Sequence, residues 1–112
     1  MIVVVNKYIL AKGFKGVSLW PFVVLRDRES IKDVVFLNHE RIHLKQQMEL
    51  LVLPFYIWYG LEFLIRYVLY QNAYKAYYNI SFEREAYQNE FNTVYCANRK
   101  FWSFTKYIFA NS

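Results

Sequence analysis

Cysteine is all but missing from this chain. Cys96 stands alone, so no internal disulfide can form and nothing points to an oxidising compartment; a small buried apolar side chain is the expectation for it. Glycine and proline are equally sparse, and from Ile31 to Leu53 neither occurs, which leaves that stretch free to run as one helix. The N-terminal MIVVVNKYILAK has too short an apolar run for a signal peptide, with no basic region before it and no small-residue cleavage site after it. A cytoplasmic location, with or without attachment to a membrane, is therefore expected. Repeats, low-complexity tracts and linkers are absent, so residues 1–112 are expected to form a single domain. Basic residues form no stripe: they are spread from Lys7 to Lys106 and interleaved with acids, which argues against a nucleic-acid partner despite the net charge of +5.

Aromatic and apolar residues are what the chain has in excess. Hydrophobic residues make up 56% and aromatics 21%, more than one small core absorbs, so some of this surface is expected to meet a partner, a second copy in a homo-oligomer, or the periphery of a membrane. Beyond Glu90 the balance turns basic, with Arg99, Lys100 and Lys106 set among Phe101, Trp102, Phe104 and Tyr107.

Periodicity predicts an α+β fold. IVVVNKYIL (2–10) and VSLWPFVVLR (17–26) are rich in β-branched and aromatic residues, and AKGFKG (11–16) supplies a turn, so the two runs are expected to pair as a β-hairpin. Pro21 cannot donate to a ladder, which places the second run at a sheet edge. Ser30 is a candidate N-cap for a helix over 31–53. Pro54 marks a break before a second helix over 55–78, with Glu62 and Arg66 spaced to pair. After a turn at 79–81, FEREAYQNEFNTVYCA is a third helix. The apolar stretch from Leu50 to Tyr70 is expected to be a core or interfacial helix rather than a span, because Glu62 and Arg66 interrupt it.

Both histidines of the chain lie in FLNHERIHLKQQMEL, four residues apart, with Glu40 directly after the first. On a helix that spacing puts His39 and His43 on one face, where two imidazole nitrogens can reach one zinc ion. Glu40 is turned about 100° from His39, within reach of a metal-bound water, where it could act as general base. Zinc needs a third protein ligand. Glu49 is too close on the same helix and Glu62 has Arg66 to pair with, so Glu83 and Glu85, opening a separate helix, are the candidates.

HExxH on one helix, followed some tens of residues later by a glutamate opening another, is similar to the gluzincin group of zinc metallopeptidases, and the chain's size resembles the minimal members called minigluzincins. The resemblance covers residues 39–87. It implies hydrolysis of a peptide or protein substrate through a zinc-bound water. In several gluzincin families the second motif reads E-x-x-A-D. Laid on EREAY, it implies Glu83 as the third zinc ligand and Ala86 as a close-packing residue, with Glu85 as the alternative ligand. Tyr87 stands where the aspartate would be, leaving its own hydroxyl or Glu90 to hold a histidine ring. The resemblance also implies a peptide laid along the free sheet edge of VSLWPFVVLR. An alternative reading is a non-catalytic interaction module that zinc stabilises, located at a membrane surface or free of it.

Overall fold

The computed structural model describes residues 2–6, 8, 10 and 14–108. Strands β1 (Ile2–Val5), β2 (Gly16–Leu19) and β3 (Phe22–Leu25) form a sheet of order β1-β3-β2. Helices α1 (Val34–Leu50), α2 (Val52–Tyr70), α3 (Ala73–Tyr78), α4 (Ser81–Asn89) and α5 (Tyr95–Asn98) follow. Two 3₁₀ turns complete the described residues, Arg28–Lys32 before α1 and Ser103–Tyr107 near the end. The fold is α+β.

The strand pairing differs from the sequence expectation. VSLWPFVVLR is not one edge strand: it folds back on itself at Trp20-Pro21, and β2 and β3 pair antiparallel with Leu19 opposite Phe22. Pro21 lies in the turn, where a missing N–H costs no ladder bond. β1 joins the other side of β3 in parallel register, Val3 opposite Val23, so the expected hairpin between the two runs does not exist. The turn expected at 11–16 lies partly outside the described residues, at 11–13. Gly16 belongs to β2, and a Cβ there would meet the Phe36 ring at 2.8 Å and the Val24 carbonyl at 2.9 Å. Only glycine lets β2 pass so close to α1.

Local chemistry sets the helix ends. Asp33, not Ser30, caps α1, its carboxylate accepting from the Phe36 N–H at 3.0 Å. The break between α1 and α2 is at Leu51, whose φ of 68° ends the helical path. Pro54 lies in the first turn of α2, where an N–H would have no intrahelical partner. The expected 55–78 helix is divided at Gln71, in left-handed conformation, and Asn72 caps α3 through the Lys75 N–H. Glu62 does not pair with Arg66. It accepts from Trp58 Nε1 at 2.8 Å and from the Ser81 N–H at 2.9 Å, serving as a borrowed cap for α4, while Arg66 donates to the Ile108 carbonyl. The expected third helix ends at Asn89, and α5 is separate.

Two apolar clusters frame α1. On the sheet side Val23, Leu25 and Leu44 are buried with Val3, Phe36 and Leu37 against them. On the other side Phe55, Ile80, Phe82 and Phe104 are buried, with Trp58, Tyr59 and Phe63 alongside. The polar face of α1 is held between them.

Candidate metal centre

α1 presents His39 and His43 one turn apart, and α4 packs against it with Glu83 in its first turn. All three side chains are buried. His39 Nε2 and His43 Nε2 are each 3.1 Å from Glu83 Oε1 and 3.2 Å from each other. Three donors on a tetrahedral zinc at about 2.0–2.1 Å lie about 3.3 Å apart. The triangle therefore matches the face of a metal coordination sphere to within a few tenths of an ångström, and this buried group could hold a metal ion.

The partners behind each donor fit the same purpose. Gln46 donates its amide to the Phe82 carbonyl at 3.1 Å and to Glu85 Oε1 at 2.8 Å. Both are acceptors, so the amide nitrogen must face them and Gln46 Oε1 must face His43 Nδ1, 2.8 Å away. His43 consequently donates from Nδ1 to Gln46, which leaves Nε2 as the nitrogen that would bind a metal. Glu90 Oε1 does the same for His39 Nδ1 at 3.2 Å. The second oxygen of Glu83 accepts from the Tyr59 hydroxyl at 2.6 Å. Of the two candidates for holding His39, Glu90 makes the bond. The Tyr87 hydroxyl pairs with Tyr77 at 2.9 Å while its ring packs edge-on against His39.

Glu85 does not reach the centre. Fully buried, it is held by Gln46, by the Tyr95 hydroxyl at 2.5 Å and by two nitrogens of Arg99 at 2.6 and 3.1 Å. Arg99 also donates to Glu49 at 2.5 Å. A line of buried polar contacts thus runs from His43 through Gln46 and Glu85 to Arg99 and Glu49.

Glu40, buried on the same helix, shares the lining of one cavity with His39, His43 and Glu83. Its Oε2 accepts a short hydrogen bond from the Ser18 hydroxyl, which also donates to the Glu40 carbonyl at 3.0 Å. The cavity is about 890 Å³, and Phe36, Phe55, Tyr59, Phe63, Tyr74 and Tyr77 contribute to its wall. β2 forms its rim. The Ser18 carbonyl accepts from Gln47 Nε2 at 2.8 Å and from Tyr56 at 2.5 Å, and Gln47 Oε1 accepts from the Trp20 N–H at 2.7 Å. The Gln47 amide occupies the place of a neighbouring strand's peptide group there.

In the metal-free protein, burial works against charge on His43, but the Glu83 carboxylate beside it outweighs this and raises the imidazole to about 9. Glu83 itself is held well below the usual carboxylate range: burial pushes it up, and the His43 charge more than reverses that. Without a metal between them, His43 and Glu83 accordingly favour the ion-paired form at neutral pH.

Substitution separates the two glutamates. Glu83→Gln is expected to leave the fold in place and weaken binding of a metal ion at the triangle by at least about 100-fold, through loss of a donor. Glu85→Gln is expected to lower stability and weaken metal binding less, by about 10-fold, since it acts on His43 only through Gln46. Competition with a chelating dye measures both, and a larger loss at Glu85 would reverse the assignment.

Gln46, three residues beyond His43 on the same helical face, could have been noticed in the sequence as a ring partner. Ser18, Tyr59 and Arg99 carry no such signal, being 21 residues before, 20 after and 60 after His39. Set against protein-family models, curated proteins and solved structures, the chain matches none.

Proposed function

We propose that this protein is a small zinc-dependent peptidase of gluzincin type, with His39, His43 and Glu83 as metal ligands and Glu40 as general base. The observation that carries the reading is the near-equilateral triangle of His39, His43 and Glu83 donors beside a cavity that Glu40 also lines. Zinc held there would supply Lewis acidity, making water a nucleophile near neutral pH and polarising a peptide carbonyl.

The remaining chemistry belongs to the chain. Glu40 takes a proton from the attacking water and returns it to the departing amine nitrogen. Ser18 holds one carboxylate oxygen, leaving the other to carry the proton and fixing the direction of transfer. Tyr59 holds the oxygen of Glu83 that is not shared with the histidines, so the carboxylate cannot swing away. On β2, the Ser18 carbonyl and Trp20 N–H face away from β3, toward Gln47, and by strand alternation the backbone of Gly16 faces the same way. An extended peptide would therefore add along the Gly16 end of β2, stopping where Gln47 begins.

Metal analysis tests the site. Purified protein is expected to carry about one zinc per chain, and His39→Ala or His43→Ala to carry none. Loading the stripped protein at pH 7 is expected to release about one proton per zinc, because His43 is protonated until the metal displaces it. Full zinc occupancy in both alanine variants would overturn the proposal.

A further inference from the structure

The amphipathic pattern of α2 is inverted. Its charged residues, Glu62 and Arg66, are turned inward to Ser81 and the Ile108 carbonyl. Its outer face carries Leu53, Ile57, Leu61, Leu64, Ile65 and Val68, each 55–71% exposed. A helix on the surface of a water-soluble domain has the opposite arrangement. Over its 19 residues α2 is long and apolar enough to cross a membrane by length and composition, yet its inner face lines the metal-site cavity with Phe55, Tyr56, Tyr59 and Phe63. Only one face is thus available to lipid.

The charges around this face have one sign. Of nine carboxylates, only Asp27 and Glu29 are exposed, both beside or within the 3₁₀ turn before α1; Asp33 pairs with Lys15, and the other six are buried or half-buried. Exposed lysines stand at the C-terminal end of α2 and in the segment that packs against its Trp58. Lys75 stands over the Tyr70 ring at its C-terminal end. Lys100 and Lys106 flank the segment whose Phe104 ring packs against Trp58 at 5.2 Å, with Trp102 beside it and Phe101 exposed. Aliphatic centre, aromatic edge and lysine margin are the layers of a bilayer interface, read from the hydrocarbon outward.

We infer that the outer face of α2 is immersed in the surface of an anionic lipid bilayer, with the helix lying in the membrane plane. A second copy of the chain suits the face less well. A two-fold interface sets a patch against itself, and this would bring its lysines together with no exposed Asp or Glu near them among the described residues, whereas anionic headgroups neutralise those lysines. Lying in the plane, α2 holds the cavity one helix diameter from the lipid, about 10 Å.

The experiment is co-sedimentation of the full chain with vesicles of phosphatidylcholine containing about one third phosphatidylglycerol. Wild-type protein is expected to bind, more weakly as salt rises. The triple variant Ile57→Gln, Leu61→Gln, Leu64→Gln, which alters only exposed positions, is expected to bind at least about 30-fold more weakly with an unchanged circular dichroism spectrum. In a Trp20→Phe background, lipids brominated in their acyl chains are expected to quench Trp58 and Trp102, a readout that needs no change in α2. Absence of wild-type binding, equal binding by the triple variant, or no quenching overturns the inference. So does a wild-type dimer that the triple variant dissolves and vesicles do not compete for. None of these readouts depends on zinc or catalysis, so their failure is separate from failure of the peptidase reading.

Discussion

Replacing Glu40 with Gln is expected to leave zinc and fold in place and to reduce peptide hydrolysis by at least about 100-fold. The substitution keeps the side chain's size, and its amide can still meet the Ser18 hydroxyl that now holds the carboxylate. It removes the proton acceptor that the proposed mechanism requires. Because Glu40 is not part of the triangle, a zinc-stabilised module without catalysis should not respond, so the variant separates the two readings of one ligand set. Wild-type and variant proteins, both zinc-loaded, are to be compared by mass spectrometry on a mixed peptide library. Equal cleavage by both would remove Glu40 from the mechanism. No cleavage by wild type, together with a fourth protein ligand on the metal, would leave only the module.

Replacing Arg99 with Ala is expected to be the most destabilising single change away from the centre, costing about 3–5 kcal/mol. Its guanidinium side chain is 2% exposed and makes ion pairs with Glu49 and Glu85, whose side chains are 7% and 0% exposed. Deletion leaves two buried carboxylates without their counter-ion, in a domain whose whole stability is of the order of 5–15 kcal/mol. Lysine should not restore it, since a single ammonium cannot reproduce the fork that joins both oxygens of Glu85 to Glu49. The same loss loosens Gln46, so the folded fraction should also bind zinc about 10-fold more weakly. Urea denaturation gives the first quantity and dye competition the second. A stability loss under about 1 kcal/mol would mean the buried line of contacts does not hold α4 as argued.

The helical positions of His39, Glu40 and His43, and the α+β composition of the fold, were legible along the chain because they depend on contacts within a few residues. A histidine pair at i, i+4 shares a helix face wherever the helix lies, and β-branched runs against a stretch without glycine or proline separate strand from helix by local sterics. Strand pairing was not legible. Whether VSLWPFVVLR ran straight or folded back at Trp20-Pro21 turned on which arrangement buried Val23 and Leu25 against α1, and that is a property of the packed sheet. For the same reason Glu62 abandons a partner one turn away for the start of α4: a buried helix N-terminus needs an acceptor, and no cap residue in its own sequence provides one. Between Glu83 and Glu85, two residues apart, spacing left both open and only the resemblance of EREAY to E-x-x-A-D favoured Glu83; the tertiary structure supplies the physical reason. Their side chains leave α4 about 200° apart, so when α4 docks on α1 one points at the histidines and the other, turned away, is met by Arg99.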